Sequence, residues 1–118
     1  MAKYETEIKT DIRQFANFLH GEILNGSISA SYEDGAEYTL GAVRVFFNVY
    51  ERYSYMGGNR VSLALTMTDA GDGIVRLCAI TSGGSQAVFF KINTFGEEAF
   101  LDKLHEAVDA YKLSNGIR

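Results

Sequence analysis

From Ser27 to Asn93 apolar residues return at every second position, and glycine-bearing turns punctuate the run at Asp34-Gly35, Gly57-Gly58, Gly71-Asp72-Gly73 and Gly83-Gly84. A period of two puts alternate side chains on opposite faces of a strand, and glycine-bearing interruptions supply hairpin turns, so the stretch predicts an antiparallel meander. The chain has no proline to withhold a backbone donor from a strand. The faces expected to meet the core are Ile28, Ala30 and Tyr32, then Val43, Val45, Phe47 and Val49, then Val61, Leu63, Leu65 and Met67. Ile74 to Thr81 is apolar on both faces, as an inner strand would be, and Val88, Phe90 and Ile92 suggest a last short strand.

Helical periodicity flanks this region. Asp11 precedes a stripe of Ile12, Phe15, Ala16, Leu19 and Ile23, with Gln14 placed as in a capping box and Asn25-Gly26 as the stop. Thr94-Phe95-Gly96-Glu97 reads as a second capping box before the stripe Phe100, Leu101, Leu104, Ala107, Val108 and Tyr111, which ends at Asn115-Gly116. Tyr4, Thr6 and Ile8 alternate with charged residues, as an edge strand does. Each helix has one stripe to bury, so the expected fold is a single α+β domain over 1–118. Its mostly meander antiparallel sheet has five to six strands, with both helices on one face, in the order β-α-β-β-β-β-β-α.

The 118 residues carry 47% apolar and 13% aromatic side chains, sufficient for a core without disulfide or metal, and a net charge of −4. With an isoelectric point near 5.1 there is no basic field for nucleic acid or an anionic membrane, so neither is expected as a partner. No apolar run has the length of a signal peptide core or a membrane span, and the single Cys78 has no partner for a disulfide or a zinc motif. A cytoplasmic protein is the expectation. No nucleophile elbow, phosphate loop or dinucleotide fingerprint occurs, and neither His20 nor His105 sits in a metal spacing, so no cofactor, metal or catalytic residue is assigned.

Two groups remain as candidates. In a meander the loops Tyr53–Arg60 and Ser82–Gln86 fall at one end, where Tyr53, Tyr55, Asn59, Arg60, Ser82, Ser85 and Gln86 would offer aromatic faces, a guanidinium, hydroxyls and amides to a small polar or anionic ligand. Ordinary hairpin turns explain the same composition. Arg44, Phe46, Tyr50 and Arg52 are expected on the sheet face away from the core, an arginine-aromatic surface suited to a homodimer or, equally, to plain solvation.

Asn25–Ala30, Tyr50–Leu63 and Thr81–Glu98 resemble segments of an uncharacterised family of small bacterial proteins, a domain of unknown function, over nearly the full length. The resemblance implies a small bacterial cytoplasmic protein and carries no activity with it. The expected role is therefore a non-enzymatic, homo-oligomeric binding or interaction module. The alternative is a small enzyme or apolar-ligand carrier with a cavity between the C-terminal helix and the sheet.

Overall fold

The computed structural model describes residues 1–54, 59–83 and 90–117. Strand β1 (Ala2–Lys9) leads to helix α1 (Ile12–Asn25), then β2 (Ser31–Leu40), β3 (Val43–Ser54), β4 (Asn59–Asp69), β5 (Ile74–Gly83) and helix α2 (Phe90–Ser114). The five strands form one antiparallel sheet in the order β1-β5-β4-β3-β2, so the expected α+β class holds with five strands. Both helices lie on one face. Ile12, Phe15, Leu19 and Ile23 of α1 and Phe100, Leu104, Val108 and Tyr111 of α2 share a core with Val61, Leu63, Leu65, Met67, Val75, Leu77 and Ala79.

Local chemistry accounts for most boundaries. The Asp11 carboxylate accepts the Gln14 amide proton at 2.9 Å and caps α1, while the Gln14 side chain reaches Asn115 rather than closing the box. Gly71 and Gly73, at φ +97° and +76°, make the expected β4–β5 turn. α2 ends at Gly116, where φ is +65° and the Ile117 amide donates to the Lys112 carbonyl.

Several expectations are corrected. Ile28 and Ala30 precede the second strand, and Ile28 is 98% exposed in a turn. Asp34-Gly35 lies inside β2, and the hairpin turns instead at Gly41-Ala42, where Gly41 has φ +62°. Phe90 and Ile92 belong to α2, so the helix begins before the Thr94 capping box. The buried Glu97 carboxylate accepts the Gly83 amide proton at 3.0 Å and faces the Met1 ammonium. Val88, Gly57-Gly58 and Gly84 lie outside the described residues.

The largest correction concerns β3. Phe46 pairs across to Met67 and Tyr50 to Leu63, so they share the helix-covered face and are 4% and 0% exposed. Val43, Val45, Phe47 and Val49 point the other way. Bulky residues occupy both faces of this strand, and the register with β4 decides which face is covered.

Candidate functional site

The functional geometry begins with an irregularity in β2. Tyr32 pairs with Tyr50 and Asp34 with Val49, so Glu33 is an extra residue, a β-bulge. It lets Tyr32 and Gly35 both occupy the helix-covered face, where strict alternation would have turned one away. α1 crosses above them and delivers His20. The His20, Tyr32 and Tyr50 rings form a closed triad, with centroids 5.4, 5.7 and 5.6 Å apart and His20 and Tyr50 each nearly edge-on to Tyr32. His20 Nδ1 and Tyr50 Oη are 2.8 Å apart.

Beside the triad lies an open cavity of about 290 Å³ between α1 and the β2–β3 hairpin, lined by Ala16, Asn17, His20, Tyr32, Glu37, Phe46 and Asn48. Two cations lie near its Phe46 wall, with the Arg13 and Arg44 guanidinium carbons 5.2 and 5.5 Å from the ring centroid. Arg13 in turn donates to both carboxylate oxygens of Glu37, at 3.4 and 2.9 Å, which leaves the groove without a net charge from that pair. Tyr32 Oη and the side-chain amides of Asn17 and Asn48 have no protein hydrogen-bond partner among the described residues. They stand ready for a ligand or solvent.

Burial first, and the neighbouring Tyr32 second, push the Tyr50 phenol well above the usual tyrosine range. The hydroxyl therefore keeps its proton, and it shares a hydrogen bond with His20 Nδ1 whose direction follows the imidazole tautomer. This arrangement holds and orients; a phenol so reluctant to ionise is a poor general base. It also has a consequence for pH. A phenol whose folded pKa exceeds its unfolded one contributes stability that is fully present below about pH 10 and is lost as pH rises toward the folded value. Tyr50→Phe should cost about 1 kcal/mol near neutrality through the lost hydrogen bond. Above about pH 10 its urea midpoint should fall less steeply than that of the parent. Parallel slopes would assign the alkaline loss to another group.

The residues expected to bind a ligand are distributed differently. Register places the end of β3, the start of β4 and Gly83 together at one end of the sheet, as expected of the two glycine loops. Arg60, however, is committed on the uncovered face: Nε donates to Glu51 Oε1 at 2.8 Å and Nη2 to Ser31 Oγ at 3.2 Å. Ser82 Oγ meets Ser62 Oγ at 2.9 Å, and the exposed Tyr53 donates its amide proton to Ser29 Oγ at 3.1 Å. Asn59 opens β4, while Tyr55, Ser85 and Gln86 lie outside the described residues.

The residues expected to form an exposed interface are corrected more fully. Phe46 and Tyr50 are core, and Arg44 and Arg52 lie on the same covered face. The Arg52 guanidinium stacks 4.9 Å from the Phe100 centroid, and burial pulls its pKa down. His105 is apart from the groove, against the Tyr4 ring and 3.7 Å from Asp109. None of the groove residues Asn17, Tyr32, Glu37 and Asn48 was marked as a binding residue in the sequence, where Tyr32 was expected only to face the core. Their one signal was Gly35 within an alternating run, which also marks bulges and close backbone approach.

Among the described residues no group of three His, Cys, Asp or Glu side chains could hold a metal ion, and no helix is long and apolar enough to cross a membrane. No curated protein matches the chain. A family model does, over residues 1–112, a span that holds the bulge, the triad, α1 and all but the end of α2; the chain belongs to that family of unknown function, DUF6054.

Proposed function

We propose that the protein is a non-enzymatic binding module that holds a small, planar, uncharged polar molecule in the groove between α1 and the β2–β3 hairpin. The observation that carries this reading is the convergence of Asn17, Tyr32 and Asn48 around the His20–Tyr50 hydrogen bond, with none of the three polar side chains engaged by protein. Two amides and a phenol supply donors and acceptors together, and the His20, Tyr32 and Phe46 rings supply flat apolar walls. The volume lies at the small end of ligand sites, roughly 300 Å³ and upward, which suits one ring and its substituents.

An anionic ligand is less well served, because Arg60 is already neutralised by Glu51 and Arg13 by Glu37. An apolar cargo beneath α2 is disfavoured too, since Phe100, Leu104 and Val108 pack directly on the sheet. We take the setting to be the bacterial cytoplasm, which the family resemblance and the single cysteine favour.

The test is an amide-resolved NMR titration with adenine, uracil and nicotinamide as probes. Shifts should concentrate at residues 16–20, 32–37 and 46–50 for at least one probe and disappear in Asn48→Ala and His20→Ala. Saturating probe that leaves these amides unmoved would remove the groove from consideration.

A further inference from the structure

Both helices cover the same face of the sheet, and among the described residues nothing covers the other. Cross-strand register builds that open face in rows. One runs Ala36, Phe47, Thr66, Cys78; the next runs Asp34, Val49, Ala64, Ile80; a third begins Tyr38, Val45, Thr68. From β3 to β5 the middle of this surface is apolar or hydroxyl-bearing, and the charge of Asp34 stands on the outer strand β2. A sheet face turned permanently to water would read as polar at these positions, whereas Phe47, Ile80 and Tyr38 stand 38%, 37% and 58% exposed.

Charge is confined to the margins, where most of it is matched within the chain. Glu51 pairs with Arg60 at one end, Arg76 with Asp72 and Glu7 at the other, and Lys3 with Glu5 along β1. An apolar centre inside a polar rim is the anatomy of a protein interface. We infer that this face is the contact surface of a homodimer, two copies laid sheet against sheet about a twofold axis through the Phe47–Val49–Thr66 region.

Three features select a second copy as the occupant. A twofold contact sets each patch near the axis against itself, so it requires a centre without net charge, which this face has. The surface also carries its own knobs and hollows: Phe47 rises between the small Ala36 and Thr66, and Ala64 leaves a dip beside Val49. Two such faces rotated by the roughly 30° usual for packed sheets can interdigitate. Five strands about 4.8 Å apart and some ten residues long at about 3.3 Å each offer on the order of 800 Å² per copy, the share each partner buries in an interface of standard size.

Assembly through the sheet edges is poorly served. β1 presents Lys3, Glu5, Glu7 and Lys9, and the Glu33 bulge disrupts β2; both are devices that discourage strand addition. Face-to-face contact is the remaining route for the sheet.

Sedimentation velocity at about 100 µM, well above the dissociation constant of most standard-sized interfaces, should give twice the 13.0 kDa chain mass. Thr66→Glu and Phe47→Glu should each sediment as folded monomers, with far-UV circular dichroism unchanged, because the new carboxylate faces water in the monomer and would be buried without a partner in the dimer. Cys78, the chain's single thiol, gives a readout that needs no variant. Its alkylation should slow about tenfold as protein concentration rises through the dissociation constant, by mass action. A parent protein that stays monomeric at that concentration overturns the proposal. So does a dimer that survives both substitutions or leaves Cys78 equally reactive throughout.

Discussion

Phe15→Ala should lower the stability of the fold by about 3–5 kcal/mol, the cost of emptying a large aromatic site in a core that collapses only partly around the void. Phe15 is fully buried on the inner side of α1 and stacks against Tyr111 of α2 at 4.8 Å between centroids. Phe18 meets the same Tyr111 ring from another side at 5.1 Å, and the Tyr111 hydroxyl is bound to Thr10 Oγ1 at 2.7 Å. Truncating Phe15 therefore removes the contact that seats both helices as well as its own buried area. Urea unfolding should show a lower midpoint with an unchanged slope, and Phe15→Leu should recover more than half of the loss. A loss below about 1 kcal/mol would mean that α1 is held mainly by its other apolar residues.

Gly35→Ala is expected to cost about 1–3 kcal/mol, although one methyl group is all it adds. A Cβ there would run into Asn48 Oδ1 and stand 2.5 Å from the Phe47 carbonyl oxygen and 2.6 Å from Tyr32 Oη. The side chains can turn aside, but the carbonyl belongs to the neighbouring strand and yields only if β2 shifts. The same substitution at Gly21 meets nothing within 4 Å and lies inside α1, where alanine should stabilise by about 0.5–1 kcal/mol. Opposite signs are thus expected for one chemical change at two positions. Gly35→Ala should also abolish any probe-induced shifts in the groove, because it displaces Tyr32 and Asn48 together, whereas Gly21→Ala should preserve them. Equal melting temperatures for the two variants would contradict the close approach at Gly35.

The contrast shows where the sequence could be read and where it could not. β4 alternates Val61, Leu63, Leu65 and Met67 with Ser62, Ala64, Thr66 and Thr68, so size and polarity agree on which face is inside. β3 offers no such agreement. Valines lie on one face and Phe46 and Tyr50 on the other, and only pairing with Leu63 and Met67 determines which set is covered. The exposed arginine-aromatic surface inferred from Arg44, Phe46, Tyr50 and Arg52 was therefore built on the wrong face.

The start of α2 was hidden for a related reason: Phe90 and Ile92 alternate as a strand would, yet both belong to the helix. The groove was hidden by ambiguity at Asp34-Gly35, a pair that signals a hairpin turn but here follows the bulge at Glu33 inside a strand. Its parts come from three elements, and the extra residue that aligns Tyr32 with Tyr50 makes no pattern of its own.

The position of β1 at the far side of β5 constrains how the molecule comes together. Strands β2 to β5 follow one another through hairpins, so each can pair with a close neighbour along the chain at small entropic cost. β1 has no such neighbour: Lys9 must find Ile74, and Ala2 must find Thr81, across the whole meander. Those distant pairings are slow to reward the chain for closing so long a loop. The meander is thus the natural early structure, with β1 and the helix that follows it docking afterwards. In that order of assembly the surface that becomes the core stays open to water until α1 docks, and the His20–Tyr50 contact joins helix to sheet only at that step.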